Sequence, residues 1–150
     1  MIKLRLLALA IGLTFALIVQ WSLAKADTSW TVKCESVFSC GVQSAQCDLV
    51  VTVFDRPTTQ GSWVGILGIP QGWDRVSIRV SKGSGAETTT IAGPGLPRMA
   101  FGGEAVRDLL LGGTTAVIEI FSAGQRLKSC SLSLAGLEEA YRTMSQRLKQ

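Results

Sequence analysis

Short segments in which apolar and polar residues alternate run through most of this chain. The clearest example spans Arg75 to Lys82, where Val76, Ile78 and Val80 fall on one face. Successive side chains of a β-strand point to opposite faces, so this spacing predicts half-buried strands of antiparallel sheets. Similar spacing predicts further strands at residues 30–35, 47–54, 62–69, 88–91, 114–121 and 126–134.

The strand patterns also predict which side chains face the core. The sets expected to point inward are Trp30, Val32 and Cys34; Cys47, Leu49, Val51 and Val53; and Cys130, Leu132 and Leu134. The polar and small residues of 39–46 predict a loop, and Arg56 to Gly61 predicts a turn. The glycines and prolines of residues 93–97 predict an interruption of regular secondary structure. Residues 123–125 predict the turn of a hairpin.

Two segments have the spacing of a helix instead. Residues 103–111 place Val106, Leu109 and Leu110 on one face, and Gly112-Gly113 ends the segment. From Gly136 onward, apolar residues recur with helical spacing at Leu137, Ala140, Tyr141, Met144 and Leu148. The predicted fold is therefore an antiparallel β-sandwich-like domain with a short internal helix and a carboxyl-terminal amphipathic helix.

The first 26 residues have the layout of a secretory signal. Lys3 and Arg5 precede an apolar run from Leu6 to Val19, and Ala24-Lys25-Ala26 supplies small residues for cleavage. The run is shorter than the roughly 20 residues that cross a bilayer as a helix. We therefore expect cleavage after Ala26 and a single exported domain at residues 27–150. The alternative is an uncleaved membrane anchor, because residues 20–23 extend the hydrophobic stretch.

Removal of the signal changes the charge of the protein. The whole chain has 15 Lys plus Arg and 11 Asp plus Glu. Loss of Lys3, Arg5 and Lys25 leaves 12 basic residues, so the mature net charge is 12 minus 11, or +1. Such a chain has little long-range attraction for phosphates or anionic lipid. We expect no nucleic-acid partner, and membrane contact only through an uncleaved signal.

All four cysteines lie in the exported part, at Cys34, Cys40, Cys47 and Cys130. In an oxidising compartment an even count predicts two disulfides, and the residues alone leave all three connectivities open. The spacing lacks the close pairs of a zinc site, and the chain contains no histidine. The sequence therefore predicts no metal and no cofactor.

The chain also lacks a recognisable catalytic motif. It contains no P-loop, no Gly-x-Ser-x-Gly and no histidine to activate a serine. Lys82 and Lys128 adjoin serines, but exposed strand lysines explain them equally well. The scattered carboxylates are Asp55, Asp74, Glu87, Glu104, Asp108 and Glu119. A non-enzymatic protein is the expectation, and a hydrolase using two of these acids is an alternative.

Three apolar residues are candidates for contact with a protein partner. Trp73 follows Gly72 in a predicted loop, where an exposed aromatic side chain would serve as an anchor. The alternative is that this indole folds back over the sheet. Val117 and Phe121 fall on the outward face of their predicted strand, together with Glu119. We predict that Trp73, Val117 and Phe121 form a contact surface.

The order of these features resembles the invasion-associated locus B family of exported proteins of Gram-negative bacteria. The segments that carry the likeness are Trp30-x-Val32-x-Cys34-Glu35, Cys47-x-Leu49, Ile69-Pro70-Gln71-Gly72, Val76 to Val80, Leu109 to Gly113, and Ser131-Leu132-Ser133-Leu134-x-Gly136-Leu137-x-x-Ala140. The resemblance implies that Cys34 pairs with Cys47 and Cys40 with Cys130.

The resemblance also implies a function in the bacterial envelope or in association with host cells. The function expected is therefore protein binding, in the periplasm, at the cell surface or after secretion. A periplasmic inhibitor of a lysozyme-type enzyme is the alternative, because a small disulfide-linked β-domain presenting one loop suits that role. The sequence identifies neither the partner nor the oligomeric state.

Overall fold

The structure is a computed structural model that describes residues 30–36, 39–58, 61–93 and 96–150. The predicted signal and its cleavage site at Ala26 lie outside these residues. The described elements are β1 (Thr31–Ser36), β2 (Ser39–Gln46), β3 (Leu49–Phe54), β4 (Val64–Leu67), β5 (Arg75–Lys82), β6 (Gly85–Ala92), β7 (Met99–Gly102), α1 (Glu104–Leu111), β8 (Thr115–Ser122), β9 (Gln125–Ser133) and α2 (Leu137–Arg147).

The strands form two antiparallel sheets around one hydrophobic core. A five-stranded sheet has the order β1-β2-β3-β4-β7, and a four-stranded sheet has the order β6-β5-β8-β9. As predicted, Val76, Ile78 and Val80 of β5 are fully buried. They share the core with residues of the other sheet such as Val51 and Ile66. The sandwich-like fold predicted from alternation is confirmed.

The prediction of a loop at residues 39–46 is wrong, because this segment is the strand β2. It pairs with β1 on one side and β3 on the other. Its inward positions are Cys40, Val42 and Ser44, which are all buried. Only one of them is a large apolar residue, so the period-two pattern is faint in the sequence. Two flanking strands stabilise β2 through backbone hydrogen bonds, which depend little on its side chains.

The disulfide pairing implied by the resemblance is also wrong. The structure joins Cys34 to Cys40 and Cys47 to Cys130. Cys34 lies directly opposite Cys40 in the β1–β2 pair. Cys47 lies in the tight turn between β2 and β3, with φ of 52°. That turn carries it to β9, so its disulfide connects the two sheets. Cys34 shares the face of Cys40, as predicted, but its side chain is exposed on the edge strand. Cys47 is exposed in its turn, so it does not face inward as predicted.

Both predicted helices are present, and both lie mainly against the five-stranded sheet. The helix α1 buries Val106, Leu109 and Leu110 and contacts β4 and β7. The helix α2 buries Leu137 and Met144 and contacts β1 and β2. Among the helices described, none has the length and apolar character needed to cross a membrane. The helices therefore leave the outward-facing side chains of the four-stranded sheet in contact with solvent.

One arginine of α1, Arg107, contacts both an aromatic ring and two carboxylates. The guanidinium carbon of Arg107 lies 4.0 Å from the centroid of the Trp63 ring. Its Nη2 atom is 2.9 Å from Oε1 of Glu104 and 2.8 Å from Oδ1 of Asp108. Burial by itself would lower the pKa of Arg107, but hydrogen bonds and charge from Asp108 and Glu104 raise it. The guanidinium group of Arg107 therefore makes its contacts within the protein and has a structural role.

Candidate functional site: the outer face of the four-stranded sheet

Trp73 is not available for contact with a partner, so its prediction as a contact residue is wrong. The side chain is only 3% exposed. Its Nε1 atom donates a hydrogen bond to the carbonyl oxygen of Leu96 at 3.3 Å. Gly93 lies against the ring, where an added Cβ would be 2.5 Å from Cζ3. The chain turns back at Gly72, which has φ of 80°, and the indole completes the core instead.

Val117 and Phe121 do lie on the outward face of β8, where both are partly exposed. In the sheet register, Val117 is opposite Arg79 of β5 and Phe121 is opposite Arg75. The guanidinium carbon of Arg75 lies 4.3 Å from the centroid of the Phe121 ring. This stacking holds the cation and the aromatic ring together at the surface.

Arginines give this surface a positive charge. We use the term outer face for the solvent-exposed side of the four-stranded sheet, whose charged and large apolar residues are Arg75, Arg79, Val117, Glu119, Phe121 and Arg126. Three arginines against one glutamate give the outer face a net charge of +2. Nη1 of Arg126 is 2.9 Å from Oε2 of Glu119, which neutralises one of the three.

Arg79 is the exposed cation best placed for a partner. No carboxylate within the described part of the chain forms an ion pair with Arg79. Its neighbours in register are Val117 on β8 and Thr88 on β6. Most other positions of the outer face are Ser, Thr or Ala, which do not shield the guanidinium. An incoming carboxylate therefore has direct access to Arg79.

The arginines were missed as site residues, although the sequence contained a signal for them. The alternation that turns Val76, Ile78 and Val80 inward necessarily turns Arg75 and Arg79 outward. The neighbouring strand could not be identified from sequence, because pairing between β5 and β8 joins segments about 40 residues apart in the chain. Only that pairing places the arginines beside Val117 and Phe121.

The carboxylates considered for hydrolysis each have a structural partner. Asp55 accepts a hydrogen bond from the amide of Cys40 at 3.3 Å, and Asp74 accepts one from the amide of Ala123 at 2.7 Å. Glu87 is 3.4 Å from Nζ of Lys82. Glu104 and Asp108 share Arg107, and Glu119 pairs with Arg126. In the described ranges, no group of three or more Cys, Asp or Glu side chains could hold a metal ion.

Comparison with known proteins returned no match of this chain to a family model, to a curated protein or to a solved structure.

Proposed function

We propose that this is a non-enzymatic, exported protein that binds an acidic protein partner through the outer face. The observation that carries the proposal is the excess of arginine around the partly exposed Val117 and Phe121. Arginine and aromatic residues are enriched where proteins bind one another, and they often dominate the binding free energy. The serines and threonines of these strands are small, so no bulky side chain blocks the approach of a partner to the arginines.

Charge complementarity selects the partner. A carboxylate that reaches Arg79 gains an ion pair without displacing an existing one, whereas Arg126 must exchange Glu119. Such surface charges accelerate association and make it sensitive to salt. We therefore expect binding to an acidic surface that weakens as ionic strength rises.

Two properties of the chain support a location outside the cytoplasm. The two disulfides indicate an oxidising environment. The amino-terminal segment has the composition of a secretory signal. Together with the resemblance to the invasion-associated locus B family, they favour the periplasm or surface of a Gram-negative bacterium. A role in the envelope or in association with host cells follows from that location.

Site-specific cross-linking in the producing cell tests the proposal. A photoreactive amino acid replaces Val117 on the outer face, and in a control chain it replaces the exposed Glu138 of α2. We expect a discrete adduct only from position 117, with the cross-linked peptide coming from an acidic segment of another protein. The charge reversal Arg79→Glu, introduced into the same chain, should abolish the adduct.

Adducts of equal yield from positions 117 and 138 would show non-specific contact and contradict the proposal. Absence of any adduct at position 117, with the protein folded and exported at its normal level, would also contradict it. Variant Arg147→Glu, at an exposed position of α2, controls for the change in net charge and should leave the adduct intact.

A further inference from the structure

The two edges of the four-stranded sheet differ in a way that indicates where a partner adds to it. At the β9 edge, the side chain of Gln46 forms two hydrogen bonds with the backbone of Ser133, as a neighbouring strand would. Its Oε1 accepts from the amide of Ser133 at 3.0 Å, and its Nε2 donates to the carbonyl oxygen of Ser133 at 3.4 Å. Trp30 Nε1 donates to the same carbonyl at 2.9 Å. The carboxyl-terminal end of this edge, at Ser133, is therefore covered.

The opposite edge is open. In the described part of the chain β6 pairs only with β5, so its other side has no neighbouring strand. The ion pair between Lys82 and Glu87 lies near its first half, and charge at a strand edge discourages pairing. The second half, Thr88 to Ala92, carries no charge. An added strand would therefore pair with the second half of β6.

A cleft lies beside this half of β6, at the side of the sandwich where β6 approaches β7. Its volume is about 410 Å³, which is within the range of ligand-binding pockets. Leu96 is 52% exposed at the cleft, although it is a large hydrophobic residue. The apolar side chains that line the cleft are Trp73, Ile91, Leu96, Met99 and Phe101, and Ser62 contributes a hydroxyl.

We propose that an extended segment of the partner adds to the β6 edge as a fifth strand and inserts an apolar side chain into this cleft. The inference rests on the proposed function and specifies the partner's form. In recognition by strand addition, backbone hydrogen bonds supply affinity and pockets for alternate side chains supply specificity. An open edge beside a cleft whose lining side chains are mostly apolar provides both requirements.

The charge of the outer face determines which residues of the partner segment alternate with the apolar ones. Strand alternation sends every second side chain of the added segment to the outer face. There it meets Thr88 and Ala92, which are small, and beyond them Arg79 and Arg75 in register on β5. A long acidic side chain can reach over Thr88 toward the guanidinium of Arg79, whereas the guanidinium of Arg75 is stacked on Phe121 of β8. The segment recognised is therefore extended and alternates large apolar residues with Asp or Glu.

Selection of peptides tests this inference whichever protein the partner is. The probe is a displayed library of random peptides about ten residues long, enough to cover one strand, with the purified, disulfide-bonded protein as target. We expect enrichment of sequences that alternate apolar and acidic residues. Hydrogen exchange with a selected synthetic peptide should then show added protection of β6 amides and no change at β9, on the opposite edge of the sheet.

Two exposed leucines provide a matched pair of variants. Leu96→Asp places a charge at the cleft and should weaken binding of the selected peptide at least about tenfold, which corresponds to 1.4 kcal/mol. Leu127 of β9 is 41% exposed and distant from the cleft in the sheet order, so Leu127→Asp should leave binding unchanged. Circular dichroism and thermal unfolding confirm that both variants fold.

The outcomes separate the inference from the proposed function. If Arg79→Glu weakens binding but Leu96→Asp does not, the proposed function stands and the inference about the cleft is overturned. Failure of the cross-link at position 117 would instead contradict the proposed function. A library without enriched alternating sequences overturns the inference. Protection of β6 in the protein alone that rises with its concentration also overturns it, since a second copy would then occupy the edge.

Discussion

At the scale of single residues, Tyr141 has an unusual position because it is the only tyrosine of the chain. It lies partly buried on α2, close enough to Arg107 for their charges to interact. Burial raises the pKa of the Tyr141 phenol above its ordinary value of 10.0, and Arg107 opposes this effect without cancelling it. The titration of one residue can therefore be followed in isolation.

The first prediction concerns this titration. Because the pKa of Tyr141 is higher in the folded state, folding favours the protonated phenol. Stability is unaffected well below pH 10 and decreases as the pH rises from about 10 through the folded-state pKa. Ultraviolet absorbance of tyrosinate should show a higher midpoint in the folded protein than in the same protein in denaturant. Variant Tyr141→Phe should lack this part of the loss in stability. Equal titration midpoints of the tyrosine in the folded and the denatured protein would contradict the prediction.

The side chain of Gln46 covers the end of the β9 edge at Ser133, and the second prediction concerns its removal. Substitution Gln46→Leu leaves the amide and carbonyl of Ser133 without their amide partner. The expected loss is about 1–2 kcal/mol in the free energy of unfolding, as for a lost pair of side-chain hydrogen bonds. Chemical denaturation measures it. Gln43→Leu on the same strand is the control. An equal loss of stability in both variants would show that the loss does not come from the hydrogen bonds to Ser133.

At the scale of elements, the sheets and helices differ in how they are stabilised. The strands β5 and β8 each have a neighbour on both sides and place three fully buried residues in the core. The helix α2 is attached through fewer buried side chains, principally Leu137 and Met144. Its docking therefore depends strongly on individual contacts.

The third prediction tests this dependence. Met144 is 1% exposed, and Met144→Ala should reduce the free energy of unfolding by about 2–5 kcal/mol through lost burial and the cavity that remains. The neighbouring Ser145→Ala should change it by less than about 0.5 kcal/mol, since Ser145 is not in the core. Chemical denaturation monitored by circular dichroism compares them. A loss in Met144→Ala no larger than in Ser145→Ala would show that α2 is not held by this contact.

The elements also show which sequence patterns are informative. The pattern of β5 identifies its inward and outward faces because its core positions are large and apolar. The pattern of β2 does not, because Gly41, Ser44 and Ala45 are small or polar, while pairing on both sides enforces an extended backbone. Strand β7, at Met99 to Gly102, has no predicted counterpart for a similar reason. Its four residues are too few to establish a period.

At the scale of the whole molecule, the two disulfides constrain the chain very differently. The bond between Cys34 and Cys40 spans a separation of 6 residues within one sheet. The bond between Cys47 and Cys130 spans 83 residues and joins the two sheets. In the chain-entropy model, the longer loop restricts the unfolded state more.

The fourth prediction follows from this difference. Loss of the long-range bond, in Cys47→Ala with Cys130→Ala, should destabilise the protein by about 2 kcal/mol more than loss of the short-range bond. The comparison is matched, because each pair contains one buried and one exposed cysteine. Chemical denaturation of both double variants measures the difference. A larger loss from Cys34→Ala with Cys40→Ala would contradict the entropic explanation.

The candidate site illustrates how far sequence patterns extend toward function. Alternation placed Val117 and Phe121 on an outward face, and the structure agrees. It could not identify Arg79 and Arg75 as their neighbours, since that depends on which strands pair. Trp73 was misassigned because a loop position does not reveal whether an indole faces solvent or returns to the core. The cleft beside β6 arises only where β6 and β7 approach each other.

The sequence by itself determined the periodicity of both helices and of most strands, β2 and β7 excepted, the inward faces of β5 and β8, and the signal-like composition of the amino-terminal segment. These are local properties, because the geometry of two or three consecutive residues fixes where a side chain points. Tertiary structure alone decided the disulfide pairing, the burial of Trp73, the arginine-rich outer face, and the difference between the β9 edge, covered at Ser133, and the open β6 edge. Each depends on contacts between segments distant in the chain, and local periodicity does not encode which segments meet.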